Sequence, residues 1–341
     1  MRVALKVGDV AAEPGQLAYG LLRIGDLADG CSPLHIPVII LNGIHDGPVV
    51  YLHAGSHGQE AVYAIEMMRR LARVDLDPTK LRGAIVMVPA ANLLAYQAAT
   101  RISPLYGVRE GGPFGGDMHK LWPGDPLGSV TQRLASAIWG SIVSQADFVL
   151  DYHTNSVPGF PFALMYQPEA QDGPEGEVWR RSLRVAEAFG MTVVVGAHTP
   201  NSLSGASMKA GKAAMAIEAP CPRVLDQPMV AAALRGTVNV LVHLGLIEGT
   251  LAPQYDIPVL PGEHHILPSI RANRGGVIHY RVEPGVLLQA GTVIASIYDV
   301  FGNPVETVRM AQDGYVSTFP PLSWSAAQTV ASGEYVADCF D

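Results

Sequence analysis

The chain is short of cysteine, of charge and of long apolar runs. Its three cysteines, Cys31, Cys221 and Cys339, are odd in number and far apart. That excludes a small disulfide-built scaffold and fits a reducing compartment. Only 16% of the residues are charged and 48% are hydrophobic, the opposite of a disordered chain. No stretch approaches the ~18 consecutive apolar residues of a membrane span. Met1 to Val10 lacks the basic start and apolar core of a secretory signal, so a cytoplasmic protein is expected. Lysine and arginine form no run and the net charge is −8. Nucleic acid and anionic membranes are therefore not expected partners.

What is present is enough chain for a large core and two domains, at 341 residues. His35 to Leu41 and Pro48 to Ala54 read as strands, separated by the turn pairs Asn42-Gly43 and Asp46-Gly47. Gln59 to Arg73 has apolar residues at helical spacing, and Ala84 to Pro89 reads as a buried strand. Leu94 to Gly124 is rich in glycine and proline with little periodicity; loops this long in compact enzymes are usually functional. Helices are then expected at Val130 to Ser144, Glu175 to Phe189 and Met229 to Leu246, alternating with strands at Phe148 to Tyr152, Thr192 to Gly196 and Ala213 to Glu218. This alternation predicts an α/β layer fold with a largely buried sheet. After Thr250 the prolines 253, 258 and 261 mark a linker, and the rest reads as short strands and turns, with a helix pattern only at Ser323 to Ala327. The expected division is an α/β unit over 1–252 and an all-β unit over 253–341.

Chemistry concentrates where strands end. Gly55-Ser56-His57-Gly58-Gln59-Glu60 joins a buried strand to a helix. A histidine and a glutamate three apart offer nitrogen and oxygen ligands suited to zinc. A catalytic zinc needs a third protein ligand and an open position, and Asp151-Tyr152-His153 offers His153 at another strand end. With water in the open position, a His57, Glu60, His153 set activates that water and polarises a carbonyl. Asp151, two residues from His153 on one strand, shares its face and is placed to orient the imidazole. Glu218 ends the apolar run Ala213 to Ile217. A carboxylate there is costly unless paired or catalytic, which makes it the candidate general base. His53, by contrast, reads as packed in the sheet.

Together these segments resemble the succinylglutamate desuccinylase/aspartoacylase family of the zinc carboxypeptidase fold. The resemblance rests on Gly55 to Glu60, Asn92-Leu93-Leu94-Ala95, Arg101, Asp117 to Gly124, Asp151-Tyr152-His153 and Ile217-Glu218, in order across about residues 35 to 250. It implies a mixed sheet flanked by helices, followed by a small all-β C-terminal domain. It also implies one zinc per chain on His57, Glu60 and His153, with Glu218 as proton carrier and Arg101 stabilising the oxyanion. Asn92 matches a family asparagine, with backbone bracing and substrate contact both open. The family usually carries Asp-Leu-Asn-Arg-x-Phe-Pro-Gly, whose Asn-Arg pair grips a substrate carboxylate. Here those places hold His119 and Lys120, and lysine lacks the planar bidentate fork. The expected substrate is therefore a small N-acylated amino compound other than succinylglutamate or N-acetylaspartate. An N-acylated diamino acid is one family precedent.

Three alternatives were open. The tail from Gly275 to Ala295 resembles biotinyl and lipoyl half-barrels, but the last lysine is Lys212, so no such cofactor can be attached there. A peptide-cleaving carboxypeptidase is disfavoured by the replaced carboxylate-gripping pair and by a tail able to narrow the cleft. A non-catalytic metal-binding protein is disfavoured by the intact candidate set. The exposed β edges of the tail allow a homo-oligomer.

Overall fold

The structure is a computed structural model that describes residues 2–106, 115–320 and 328–341. The helix expected at Ser323 to Ala327 lies outside these residues. A small hairpin, β1 (Leu5–Val7) and β2 (Val10–Ala12), precedes the main sheet. That sheet has nine strands: β3 (Gln16–Asp26), β4 (Pro33–Asn42), β5 (His45–Ala54), β6 (Arg82–Val88), β7 (Phe148–Thr154), β8 (Phe162–Tyr166), β9 (Val193–Gly196), β10 (Ala213–Ala219) and β11 (Glu263–His265). Their order is β11-β9-β8-β10-β7-β5-β6-β4-β3. The central run β10-β7-β5-β6 is parallel, while β3, β4 and β8 bring antiparallel pairings.

Alternate strand residues face opposite sides of a sheet, and both sides are covered. Val50, Leu52 and Ala54 of β5 join one core with residues of the helices Val62–Arg70, Gly173–Phe189 and Gln227–His243. Tyr51 joins the other core with residues of the helices Val130–Ser141 and Leu203–Lys209. This burial on two faces explains why the central strands read as continuous apolar runs rather than as alternating ones. The helix Val130–Ser141 starts at a capping box between Ser129 and Gln132, which satisfies its first amides.

Beyond β11 come two four-stranded antiparallel sheets around a separate core containing Ile278, Ile297, Val316 and Phe319. They comprise β12 (Ile270–Arg271), β13 (Gly276–Tyr280), β14 (Leu287–Leu288), β15 (Val293–Tyr298), β16 (Pro304–Arg309), β17 (Gly314–Thr318), β18 (Thr329–Val330) and β19 (Tyr335–Phe340). The α/β layer followed by an all-β tail agrees with the fold class read from the sequence. β11 lies past residue 252 yet pairs with β9 in the large sheet. The tail is further tied to the layer by Phe160 N donating to Ser317 O and by Phe319 N donating to Ser156 Oγ at 2.7 Å.

Candidate metal centre and active-site cavity

The parallel strands β5, β7 and β10 end at the same edge of the sheet, where ligands of such sheets collect. After β5 the chain turns through Gly55 at φ +78° and tightens over Gly58–Glu60 before the helix. A side chain on Gly58 would run into the backbone of Ala95 and Tyr96, so glycine lets the turn carrying His57 and Glu60 pack against the helix Leu93–Ala98. On β7, Asp151 and His153 share a face. Glu218 on β10 is in register with His153, so strand pairing alone brings them side by side.

His57, Glu60 and His153 each offer a donor atom within 4.8 Å of the others. His57 Nδ1 lies 2.9 Å from Glu60 Oε1, and His153 Nδ1 lies 2.9 Å from Glu60 Oε2. Yet His57 Nδ1 is buried and makes no hydrogen bond. A buried ring nitrogen left in that state is costly, unless its lone pair serves a cation. Its other nitrogen, Nε2, meets Asp117 Oδ1 at 2.9 Å, which fixes the N–H there and turns the Nδ1 lone pair to the cavity. His153 Nε2 lies 3.0 Å from Asp151 Oδ2, off the direction of a hydrogen bond. Two imidazoles and a carboxylate, with Asp117 hydrogen-bonded behind His57 and Asp151 close beside His153, is a donor set that fits zinc. His119, Asp151 and His153 form a second group of similar spacing. It shares His153 with the first and lacks the carboxylate backing seen at His57.

The electrostatics follow from burial and from these neighbours. Burial alone would raise the Glu60 and Asp117 carboxyls, but the imidazoles against them, and Arg101 beside Asp117, hold both well below the carboxylate range. Burial alone would lower His153, but Asp151 and Glu60 outweigh it and push the ring well above the usual histidine value. Burial pushes His119 down to about 3, helped by His153 and His57. Burial also raises Glu218 to about 7 against the pull of His153. That is the range in which a carboxylate can both accept and return a proton.

A cavity of about 340 Å³ opens over this cluster and is lined by His57, Glu60, Arg101, His119, His153 and Glu218. Arg101 Nη1 is 3.6 Å from Glu60 Oε1, and its Nη2 is 3.3 Å from Asp117 Oδ2. Two residues expected at the substrate are placed elsewhere. Lys120 is exposed and does not line the cavity. Asn92 is buried, with Oδ1 accepting from Ala95 N as the cap of the helix Leu93–Ala98, so of its two open roles the structure shows the bracing one. Sequence reasoning gave no role to Asp117, which braces both His57 and Arg101. Nor did it anticipate the tail residues Ser269, Ser317, Thr318 and Asp338 in the cavity wall. Asp117 lies within a quoted motif, but its partners are 60 and 16 residues away; the tail residues carry no motif at all.

A layered α/β architecture with a His-Glu-His group beside the strand ends is thus on hand. The pattern of the succinylglutamate desuccinylase/aspartoacylase catalytic domain matches residues 46–244, and the chain belongs to that family. A curated relative, the N-alpha-acetyl-L-2,4-diaminobutyric acid deacetylase of Halomonas elongata, is 27% identical over 337 residues, which span 95% of this chain and 92% of the relative. A succinylglutamate desuccinylase/aspartoacylase from Rhodobacter sphaeroides superposes with TM-score 0.78 at 26% identity, covering 96% of this chain and 94% of that one. The product-bound ectoine utilization protein EutE (DoeB) of Ruegeria pomeroyi superposes with TM-score 0.79 at 19% identity, covering 100% and 96%; at that identity the likeness concerns the fold.

Proposed function

We propose that this protein is a zinc-dependent deacylase that hydrolyses the amide of a small N-acylated amino acid derivative. The observation that carries the proposal is the convergence of His57, Glu60, His153, Glu218 and Arg101 on one cavity. Zinc held by His57, Glu60 and His153 would supply the Lewis acidity that activates water and polarises the acyl carbonyl. The remaining work falls to the chain's own residues. Glu218 takes a proton from the attacking water and delivers it to the leaving amine. Arg101 donates to the carbonyl oxygen as negative charge develops on it. Asp117 holds both Arg101 and the His57 ring in place, and Asp151 lies against His153 Nε2 as its charge partner.

The cavity is the size of a small-molecule site, and the tail forms part of its wall. That favours a compact substrate over a long peptide. Because the curated relative is a deacetylase of N-alpha-acetyl-2,4-diaminobutyrate by name, that compound is the first to assay, with N-acetylaspartate as comparator. Zinc-dependent acetate release is expected from the wild type. Glu218→Gln should hold zinc but lose turnover. A fully active Glu218→Gln would remove the proposed base, and release of C-terminal residues from peptides would make the protein a peptidase.

A further inference from the structure

The tail contributes one partly buried carboxylate to the cavity, Asp338 on β19. Its surroundings come from an irregularity in strand pairing. Tyr315 pairs with Phe340 and Val316 with Cys339, but Asp338 is met by Thr318 instead of Ser317. The extra residue is a bulge, a device that re-aims side chains near sites. It brings two consecutive hydroxyls to Asp338. Ser317 Oγ donates to the Asp338 carbonyl at 2.9 Å and Thr318 Oγ1 donates to Asp338 Oδ2 at 3.3 Å. The Ser269 hydroxyl donates to the same carboxylate.

All three hydroxyl protons are therefore committed to Asp338, and all three residues line the cavity. What they present to a ligand is lone pairs. A hydroxyl whose proton is used elsewhere can only accept. Asp338 forms no ion pair among the described residues. The guanidinium of Arg271, near enough to draw its titration down, donates to Gly333 O and stacks over the Tyr335 ring. A stretch of wall whose hydroxyls accept and do not donate, with a partly buried carboxylate outside any ion pair at its centre, selects a donor-rich cation. An ammonium carries three donors and no acceptor.

We propose that Asp338, with Ser269, Ser317 and Thr318, binds a primary ammonium group of the substrate, so that the compound deacylated is a diamino acid. This rests on the deacylase reading given above and adds to it the residues that choose the substrate. A second carboxylate on the substrate would instead face the carboxylates of Asp338, Glu218 and Glu60, with Arg101 the one arginine or lysine in the lining among the described residues.

The test uses zinc-loaded full-length protein and two matched pairs. N-acetyl-2,4-diaminobutyrate and N-acetylnorvaline differ by an ammonium in place of a methyl, as do the free amino acids. The wild type should favour the ammonium compound in kcat/KM by about 10- to 100-fold, the usual range for a hydrogen bond to a charged group. Asp338→Asn should bring the two substrates level, and Thr318→Val should narrow the gap if Asp338→Asn does not fold. Binding of the free amino acids, followed by titration calorimetry, needs no turnover. Equal binding of 2,4-diaminobutyrate and norvaline overturns the assignment even in an active deacylase, as does an Asp338→Asn variant that keeps the full preference. Ammonium-selective binding without hydrolysis of any acyl compound supports the Asp338 site and overturns the deacylase reading.

Discussion

Replacing Asp117 by alanine isolates the carboxylate that braces the proposed metal centre. In the folded protein Oδ1 accepts from His57 Nε2 at 2.9 Å and Oδ2 faces Arg101 Nη2 at 3.3 Å. Without that acceptor the His57 ring is free to carry its proton on Nδ1, the nitrogen the zinc requires. Loss of such a backing group costs about 10- to 100-fold in metal affinity, or about 1.4 to 2.7 kcal/mol. Asp117→Asn keeps an oxygen for the Nε2–H while giving up the charge, so its loss should be less than about tenfold. Competition with a chromophoric chelator measures both variants against the wild type, with thermal melts as the control. The melts are needed because Asp117 also accepts from His119 N at the start of the Met118–Lys120 turn. A folded Asp117→Ala protein with wild-type zinc affinity would refute the bracing role. Equal losses in the alanine and asparagine variants would assign the effect to charge instead of to the hydrogen bond.

Three further outcomes follow from the same geometry. His153, raised by Asp151 and Glu60, keeps its proton at neutral pH in the metal-free protein, whereas ligation needs the neutral ring. Zinc binding near pH 7 should therefore release a proton and tighten as pH rises, seen by calorimetry in buffers of different ionisation heat; a buffer-independent enthalpy would contradict it. Gly58→Ala forces a methyl into the backbone of Ala95 and Tyr96 and should destabilise the protein by about 1–3 kcal/mol or more, with zinc affinity falling alongside. An unchanged urea midpoint would show that this contact relaxes freely. Ser156→Ala strips the buried acceptor from Phe319 N, at about 1–3 kcal/mol for an unsatisfied group, and hydrogen exchange at Phe319 should rise; protection equal to wild type would show another acceptor in its place.

The central strands were legible because burial on both faces leaves apolar runs bounded by turns, and β5, β7 and β10 fall where those runs do. The His57, Glu60, His153 and Glu218 positions were legible for the same reason: polar groups at the ends of apolar strands stand out. β8 was not found. Phe162–Tyr166 follows Pro158-Gly159 in a stretch with no alternation, and it enters the sheet between β10 and β9 through tertiary pairing alone. The helix Leu203–Lys209 was hidden by its glycine and serines, which are weak helix formers in isolation. Within the expected loop from Leu94 to Gly124, the helix Leu93–Ala98 covers the first residues. The role of Asp338 was beyond any local signal, because a bulge in β17 creates it and register is not written in composition.

The charge balance of the site argues for a cation more strongly than any one distance. Glu60, Asp117, Asp151 and Glu218 gather around His57 and His153, and Arg101 is partly exposed at the edge. Buried carboxylates in such number repel one another and pay a heavy desolvation cost unless positive charge is close. In the bare protein the structure meets part of that need by holding a proton on His153, squeezed between two acids, and by letting Glu218 rise to about 7. A divalent cation in the His57, Glu60, His153 niche would replace one proton by two charges. The same field would draw Glu218 downward, leaving it ionised and ready to accept a proton at neutral pH. The raised Glu218 of the bare cluster and the ionised base of the proposed reaction would then be two states of one electrostatic arrangement, separated by the ion.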